Sequence, residues 1–424
     1  MRGLFLVGLI ASCAAMGLVE VAHTAKEQAW SWHAQEYAML SQQTNPKVAL
    51  AALYPSITMS LSQQTAHSYH TNQSNTHDQN LFNTQIQVPI VKIAAKAGYD
   101  AAQANAASQM DDYQIFKQKF ILDLATRYFA VLKADKKMLL ADKVVAMNTK
   151  LTHDIEQKYQ VGLLALTDLS EAQAALDQAI ATKIQASFNL SVAQDTLVEL
   201  LQFQPNSLRD IDLNADLKFK ALDKPAGENH QVQKYKHLLK AADYSVQAAK
   251  AGLYPSLVGY ATYNSSPLNS NLTQKVHSIA VGIAANWTPF DGGATLAQYT
   301  ANQYKKQASF AQLRETYLDI ELNEKTTRKQ LETARYQLRA QRQALRSAQV
   351  YLEATQASFE AGQRTTTDVL DAQSTLMSQE QSLYNLLYDT MIVYLQLSQL
   401  LSYSDESVLE SLDGFLTQEW HWAS

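Results

Sequence analysis

The chain has 424 residues, 46% hydrophobic and 18% charged, with a net charge of −5. Its 13 glycines and 8 prolines are about 5% of the chain, against roughly 12% in an average protein. That excludes a fold of many short elements and points to a few very long helices. The acidic balance excludes a phosphate-neutralising surface for nucleic acid, and the single cysteine, Cys13, excludes disulfide scaffolds and cysteine-based zinc sites.

At the N-terminus, Arg2 precedes an apolar run from Leu4 to Val19 that Glu20 closes. The run is shorter than the roughly 20 residues a spanning helix needs, and it reads as a secretory leader within residues 1–25. A cut at Ala25 has the disadvantage of His23 two places before it. Ile10-Ala11-Ser12-Cys13 resembles a lipoprotein signal, in which Cys13 would be acylated. Residues 26–52 form an N-terminal segment that Asn45-Pro46 is expected to interrupt. No later segment has the composition of a membrane helix, so any further crossing must be made by strands.

The rest of the chain is a tandem repeat with a period of 200 residues. Leu53-Tyr54-Pro55-Ser56 recurs as Leu253-Tyr254-Pro255-Ser256, and Pro89 recurs as Pro289. Gly162, Thr167, Asp168, Ala172 and Gln173 recur as Gly362, Thr367, Asp368, Ala372 and Gln373. The units are residues 53–203 and 231–402, joined by a connector, 204–230, and followed by a tail, 403–424, containing Trp420 and Trp422.

Each unit opens on alternating strands. Ile57, Met59 and Leu61 alternate with Thr58, Ser60 and Ser62, and Phe82, Thr84, Ile86 and Val88 with Asn83, Gln85 and Gln87. The second unit repeats this over 258–263 and 279–287. Such alternation gives a strand two different environments. Strands of about 9–11 residues are expected, the length that crosses a bilayer when tilted. Polar loops are expected over 66–79 and 264–278, with Pro89 and Pro289 ending the ladders. His67, His70 and His77 fall in the first loop and read as solvated residues of a polar loop, not as a metal site.

Past each proline the period changes to steps of 3 and 4. One seam carries Tyr113, Phe120, Leu124, Val131, Ala134, Met138, Ala141, Val145, Ile155 and Tyr159; the second carries Leu313, Tyr317, Ile320, Leu331, Ala334, Leu338, Leu345, Ala348, Leu352 and Phe359. A seam this long predicts a heptad-packed rod over about 91–159, some 100 Å in length at 1.5 Å per residue. Turns at Gly162 and Gly362 then return the chain into shorter helices from Asp168 to Phe203 and from Asp368 to Ser402. Thr167 or Asp168, and Thr367 or Asp368, suit their N-caps.

Three segments together carry a resemblance: Leu253-Tyr254-Pro255-Ser256 entering a strand, Trp287-Thr288-Pro289-Phe290-Asp291-Gly292-Gly293 leaving one, and the run Phe359-Glu360-Ala361-Gly362-Gln363-Arg364-Thr365-Thr366-Thr367-Asp368-Val369-Leu370-Asp371-Ala372-Gln373. Over residues 53–402 the chain resembles the TolC family of bacterial outer-membrane efflux proteins. The resemblance implies a mainly α fold with a small β part. Three chains with four strands each would close a 12-stranded barrel in outer-membrane lipid, above a long α-helical barrel in the periplasm. It implies a passive exit duct for drugs or secreted proteins, working as a homotrimer with a periplasmic adaptor and an inner-membrane transporter. By the same resemblance, Asp368 and Asp371 ring a periplasmic gate, and Arg364, Thr167 and Asp168 lock neighbouring helices. Phe359 stands where the family often has tyrosine and adds packing only. The turns at Gly162-Leu163 and Gly362-Gln363 receive the adaptor.

No G-x-S-x-G, H-E-x-x-H or Walker-type run is present, so the chain is read as a non-enzyme without cofactor or metal. The competing reading is a secreted coiled-coil scaffold without a pore, which would have no need of the alternating strands.

Overall fold

A computed structural model describes residues 15–70, 73–222, 229–267, 275–403 and 405–421. Cys13, the start of the leader, Pro225, Gly227 and Trp422 lie outside the described residues, as do the side chains of His67, His70 and His77. The described elements are α1 (Leu18–Gln28), α2 (Trp30–Ala51), β1 (Ser56–His70), β2 (Gln73–Val91), α3 (Ile93–Gln160), α4 (Leu166–Leu201), β3 (Ser207–Ile211), α5 (His230–Ala251), β4 (Ser256–Pro267), β5 (Lys275–Asn286), α6 (Ala294–Glu360), α7 (Thr366–Leu400), α8 (Asp405–Asp413) and β6 (Leu416–His421). The order helix, strand, strand, long helix, shorter helix occurs twice.

The chain divides into two compact units. One comprises Gln35–Gln114 and His230–Leu318 and carries a sheet of order β1-β2-β4-β5, antiparallel throughout. Its strands are longer than expected. The polar stretch over 66–79 is mostly strand, because β1 and β2 stay paired up to His70↔Gln73. Likewise β4 runs to Pro267 and β5 starts at Lys275. Ladder bonds join backbones, so pairing continues where side-chain alternation fades. Pro89 does not end β2. It pairs with Val258 beside a register shift between Pro89 and Val91, and it lies beyond the β1 ladder, which ends at Gln87. At that edge position the missing N–H costs little. Pro46 does not interrupt α2 either. The helix is exposed there, so water can satisfy the carbonyl that proline leaves unpaired.

The other unit contains the described residues of Met1–Ala34, Ile115–Asn229 and Asp319–Ser424. Its core joins Leu18, Val21 and Ala25 of α1 to Leu124, Tyr128 and Leu132 of α3, Leu197 and Leu201 of α4, Leu387, Met391 and Leu395 of α7, and Leu409 and Leu412 of α8. Residue 25, the expected end of the leader, thus falls inside a buried helix. On α6 the seam residues Ile320, Leu331, Ala334, Leu338, Leu345, Ala348 and Leu352 are all buried. On α3 the heptad pattern omits Tyr128, Phe129 and Leu132, which are fully buried because more than one element packs around this stretch.

The connector and the tail each contribute one strand. β3 and β6 pair antiparallel, with Leu208 opposite Trp420. β3 carries Asp210, only 1% exposed. Asp210 Oδ2 lies 2.6 Å from Lys136 Nζ on α3, and Oδ1 accepts a hydrogen bond from the Tyr388 hydroxyl at 2.7 Å and from the Ile211 N–H at 2.7 Å. Burial, then the Asp210 charge, pushes the Tyr388 phenol far above its ordinary range. Burial likewise raises the adjacent Asp135 carboxyl, against a hydrogen bond from Trp420 of β6. One buried ionic cluster therefore ties connector, tail, α3 and α7.

Candidate functional site

Two features of the chain stand out, one in each unit. The first is the pair of helical turns. α3 ends at Tyr159-Gln160 and α6 at Phe359-Glu360, where Gly162 and Gly362 adopt φ of +76° and +74°. This left-handed conformation costs glycine nothing and a side-chain-bearing residue about 1 kcal/mol or more. Leu163 N–H donates to Lys158 O at 2.9 Å and Gln363 N–H to Ser358 O at 2.8 Å, closing each helix with a Schellman-type bond. Leu163 and Gln363 are left exposed at the tips.

The returning helices are capped two to three residues earlier than expected. The N-cap positions are Ala165 and Thr365, with Asp168 and Asp368 at N3. Asp168 Oδ2 accepts from the Ala165 N–H at 3.1 Å. Asp368 Oδ2 accepts from the Thr365 N–H at 2.9 Å, and Thr365 Oγ1 accepts from the Asp368 N–H at 3.2 Å, a reciprocal box that alanine at 165 cannot complete. The hydrogen bonds from Thr365, with Arg364 nearby, hold the Asp368 carboxyl below the usual aspartate range.

The lock that the resemblance implies joins neighbouring helices of an assembly; within one chain the polar contacts at the tips are these. Arg364 Nη1 lies 3.5 Å from Asp368 Oδ1 of its own helix and does not engage Thr167 or Asp168. The link between the two tips is instead Thr367 Oγ1 donating to Glu171 Oε1 at 2.7 Å. Asp371 is exposed one turn further on. Phe359 packs against Leu151, Ile155, Ala172 and Val369 beneath the turns, with Lys158 Nζ 4.6 Å above its ring. Glu171 could have been found from sequence only as a first-turn carboxylate, since nothing in the spacing pairs it with Thr367.

The second feature is the faces of the four-stranded sheet. Antiparallel partners share a face, so the registers place Ile57, Ile86, Ala261 and Val281 in one row, and Met59, Thr84, Tyr263 and Ile279 in the next. Ile57, Met59 and Leu61 are 62–80% exposed and Ile279, Val281 and Ile283 72–77%. An apolar row, Ile57 to Val281, thus crosses all four strands, and Thr84 is the one polar residue in the row beside it. The opposite face carries Thr58, Ser60, Asn83, Gln85 and Asn264, with Asn83 hydrogen-bonded to Asn264, and Gly282 lies directly under the Tyr260 ring. β1 and β5 end the sheet with one unpaired edge each. No helix among the described residues is long and apolar enough to cross a membrane, and no described cluster of His, Cys, Asp and Glu forms a metal site.

An exposed apolar band on a sheet with polar residues behind it, on a chain otherwise made of long packed helices, defines a protein of the outer-membrane channel class. The chain belongs to the outer membrane efflux protein family, whose model matches residues 22–201 and again 221–402. It is 26% identical to the outer membrane protein TolC of Vibrio cholerae over 73% of this chain and 74% of that one. It is 23% identical to the alkaline protease secretion protein AprF of Pseudomonas aeruginosa over 96% and 89%. In fold it superposes on VceC of Vibrio cholerae with a TM-score of 0.80 at 17% identity, covering 92% and 96%. The corresponding values for the CmeC channel of Campylobacter jejuni are 0.80, 15%, 94% and 90%. The protein is an outer-membrane exit duct for efflux or secretion, in a family of channels, not enzymes.

Proposed function

We propose that three copies of this chain close a 12-stranded barrel in the outer membrane, continued by a periplasmic helical barrel, and that the duct accepts cargo from an inner-membrane transporter through a periplasmic adaptor. The observation that carries this reading is the sheet: a largely apolar exposed face that crosses all four strands and is bounded by two unpaired edges. In lipid each unpaired N–H or C=O costs several kcal/mol, so the edges of one copy need those of the next. Assembly of copies is further supported by α4, which leaves Ile180, Ile184, Phe188 and Val192 exposed at steps of four.

Arginine at Ile57, Met59 or Leu61 tests the membrane face. Each is expected to cost about 2–4 kcal/mol near mid-bilayer and to lower the amount of assembled protein in outer-membrane fractions. Arginine at Thr58 or Ser60, on the lumen side, is expected to leave assembly largely intact. Equal loss from both sets would reverse or abolish the assignment. The scaffold alternative would require extraction by aqueous buffer instead of detergent.

The turns support the adaptor part of the reading: two closed helical hairpin ends, each with an exposed residue after the glycine. A photo-crosslinker at Leu163 or Gln363 is expected to capture a periplasmic adaptor in intact cells. Capture only from positions in β1 would put the adaptor on the wrong unit.

A further inference from the structure

Residues that the leader reading assigns to a discarded peptide are built into the folded protein. Met16 forms a parallel bridge with Leu208 of β3. Its N–H donates to Ser207 O at 3.0 Å, and its carbonyl accepts from the Arg209 N–H at 3.0 Å and from the Tyr128 hydroxyl at 3.3 Å. The first N–H of α1, that of Leu18, donates to Asp413 Oδ1 at 2.7 Å at the end of α8. Asp413 Oδ2 is in turn 3.1 Å from Arg209 Nη1. Gly17 permits this approach, since a Cβ there would lie 2.3 Å from Asp413 Oδ1. Leu18, Val21 and Ala25 are fully buried. A cut after Ala25 would delete a strand partner, the capped first turn of α1 and three core side chains at once, and would leave Ser207 O and the Arg209 N–H without their partners and Asp413 with Arg209 alone.

We infer that the leader is cut N-terminal to Met16, so that α1 belongs to the mature duct. The remaining leader has the needed parts: Arg2, the apolar core Leu4 to Ile10, and the small residues Ala11, Ser12, Ala14 and Ala15 before the cut. The step is hydrolysis of one peptide bond by a leader peptidase. The C–N bond breaks, water gives hydroxyl to the leader's new carboxylate, and a proton goes to the new amine. This inference rests on the outer-membrane reading, and the test separates the two.

The protein is purified from outer membranes and its N-terminal peptide identified by mass spectrometry. A first residue after Met1 and no later than Met16 is expected. Cys13 as first residue with an added diacylglyceryl mass supports the same boundary and identifies a lipid-anchored product. A first residue of Lys26, or a retained Met1, in protein recovered from the outer membrane overturns the inference and leaves the duct reading standing. Absence from the outer membrane overturns both. As a second measurement, a foreign cleavable leader is joined to Ala15 or to Lys26. The Ala15 fusion is expected to assemble as the native protein does, and the Lys26 fusion to lose the detergent-stable assembly. Equal assembly by both would also overturn the inference.

Discussion

Replacing Asp210 by alanine is expected to destabilise the protein by about 3–5 kcal/mol, because it strands a buried cation. Lys136 is 9% exposed and makes its closest ion contact, at 2.6 Å, with Asp210; its other carboxylate neighbour, Asp135, is 4.0 Å away. The Tyr388 hydroxyl and the Ile211 N–H lose their acceptor in the same step. Native domains are stable by only about 5–15 kcal/mol, so the loss falls heavily on a cluster that ties connector and tail to α3 and α7. Asp210→Asn keeps an acceptor and is expected to cost less. Lys136→Met is also expected to cost less, because the Asp210 carboxylate keeps two hydrogen-bond donors. Urea unfolding of the detergent-solubilised protein, followed by circular dichroism, gives the ranking. If Asp210→Ala unfolds within about 1 kcal/mol of the native chain, below the penalty of a single buried unsatisfied group, the cluster is not under the tension described.

At the tips, removal of the Thr367–Glu171 link is expected to raise conductance in planar bilayers. In a trimer, three copies each of Asp368 and Asp371 would approach one axis. Unit charges 4 Å apart repel by about 1 kcal/mol per pair even in water, so the closed mouth needs a counterweight. A hydrogen bond to a charged group contributes about 1.5–3 kcal/mol, and less where both partners are exposed, as here. Three such bonds lost together are expected to shift the open population by at least about tenfold, one factor of ten being 1.4 kcal/mol. Thr367→Val and Glu171→Gln therefore should both raise conductance, and Thr167→Ala, which removes no side-chain hydrogen bond to the described residues, should not. Asp371→Asn should lower cation preference and divalent block without touching a cap, whereas Asp368→Asn also weakens the cap at Thr365. Arg364→Ser is expected to act in the same direction as Thr367→Val but more weakly, since an exposed pair at i, i+4 contributes only about 0.3–0.5 kcal/mol. Unchanged conductance in Thr367→Val and Glu171→Gln would remove the link from the gate.

The Asp368 cap has its own pH range. Asp368 is held below its ordinary value by Thr365, so its capping contribution is present at neutral pH. It is lost only as the pH falls below the ordinary aspartate value of about 4.

What the sequence determined by itself was whatever depends on period and offset. The 3–4 seam of α6 became buried at each named position from Ile320 to Leu352, though not at Tyr317, which is exposed; a heptad face must pack or be lost. The alternation of β1, β2 and β5 became one apolar face, because side chains on a strand can only alternate. Gly162 and Gly362 became left-handed turns for want of a Cβ. The tertiary structure alone decided what depends on partners distant in the chain. It joined the tail to the connector through β3 and β6, set Asp210 against Lys136 and Tyr388, drew Met16 and α1 into the core, and joined Thr367 to Glu171 across the tips. It also carried the strands through stretches that read as loops. Apart from that hairpin extension, the deciding contacts span dozens to hundreds of residues, and periodicity records which face of an element is buried but not which distant residue it meets.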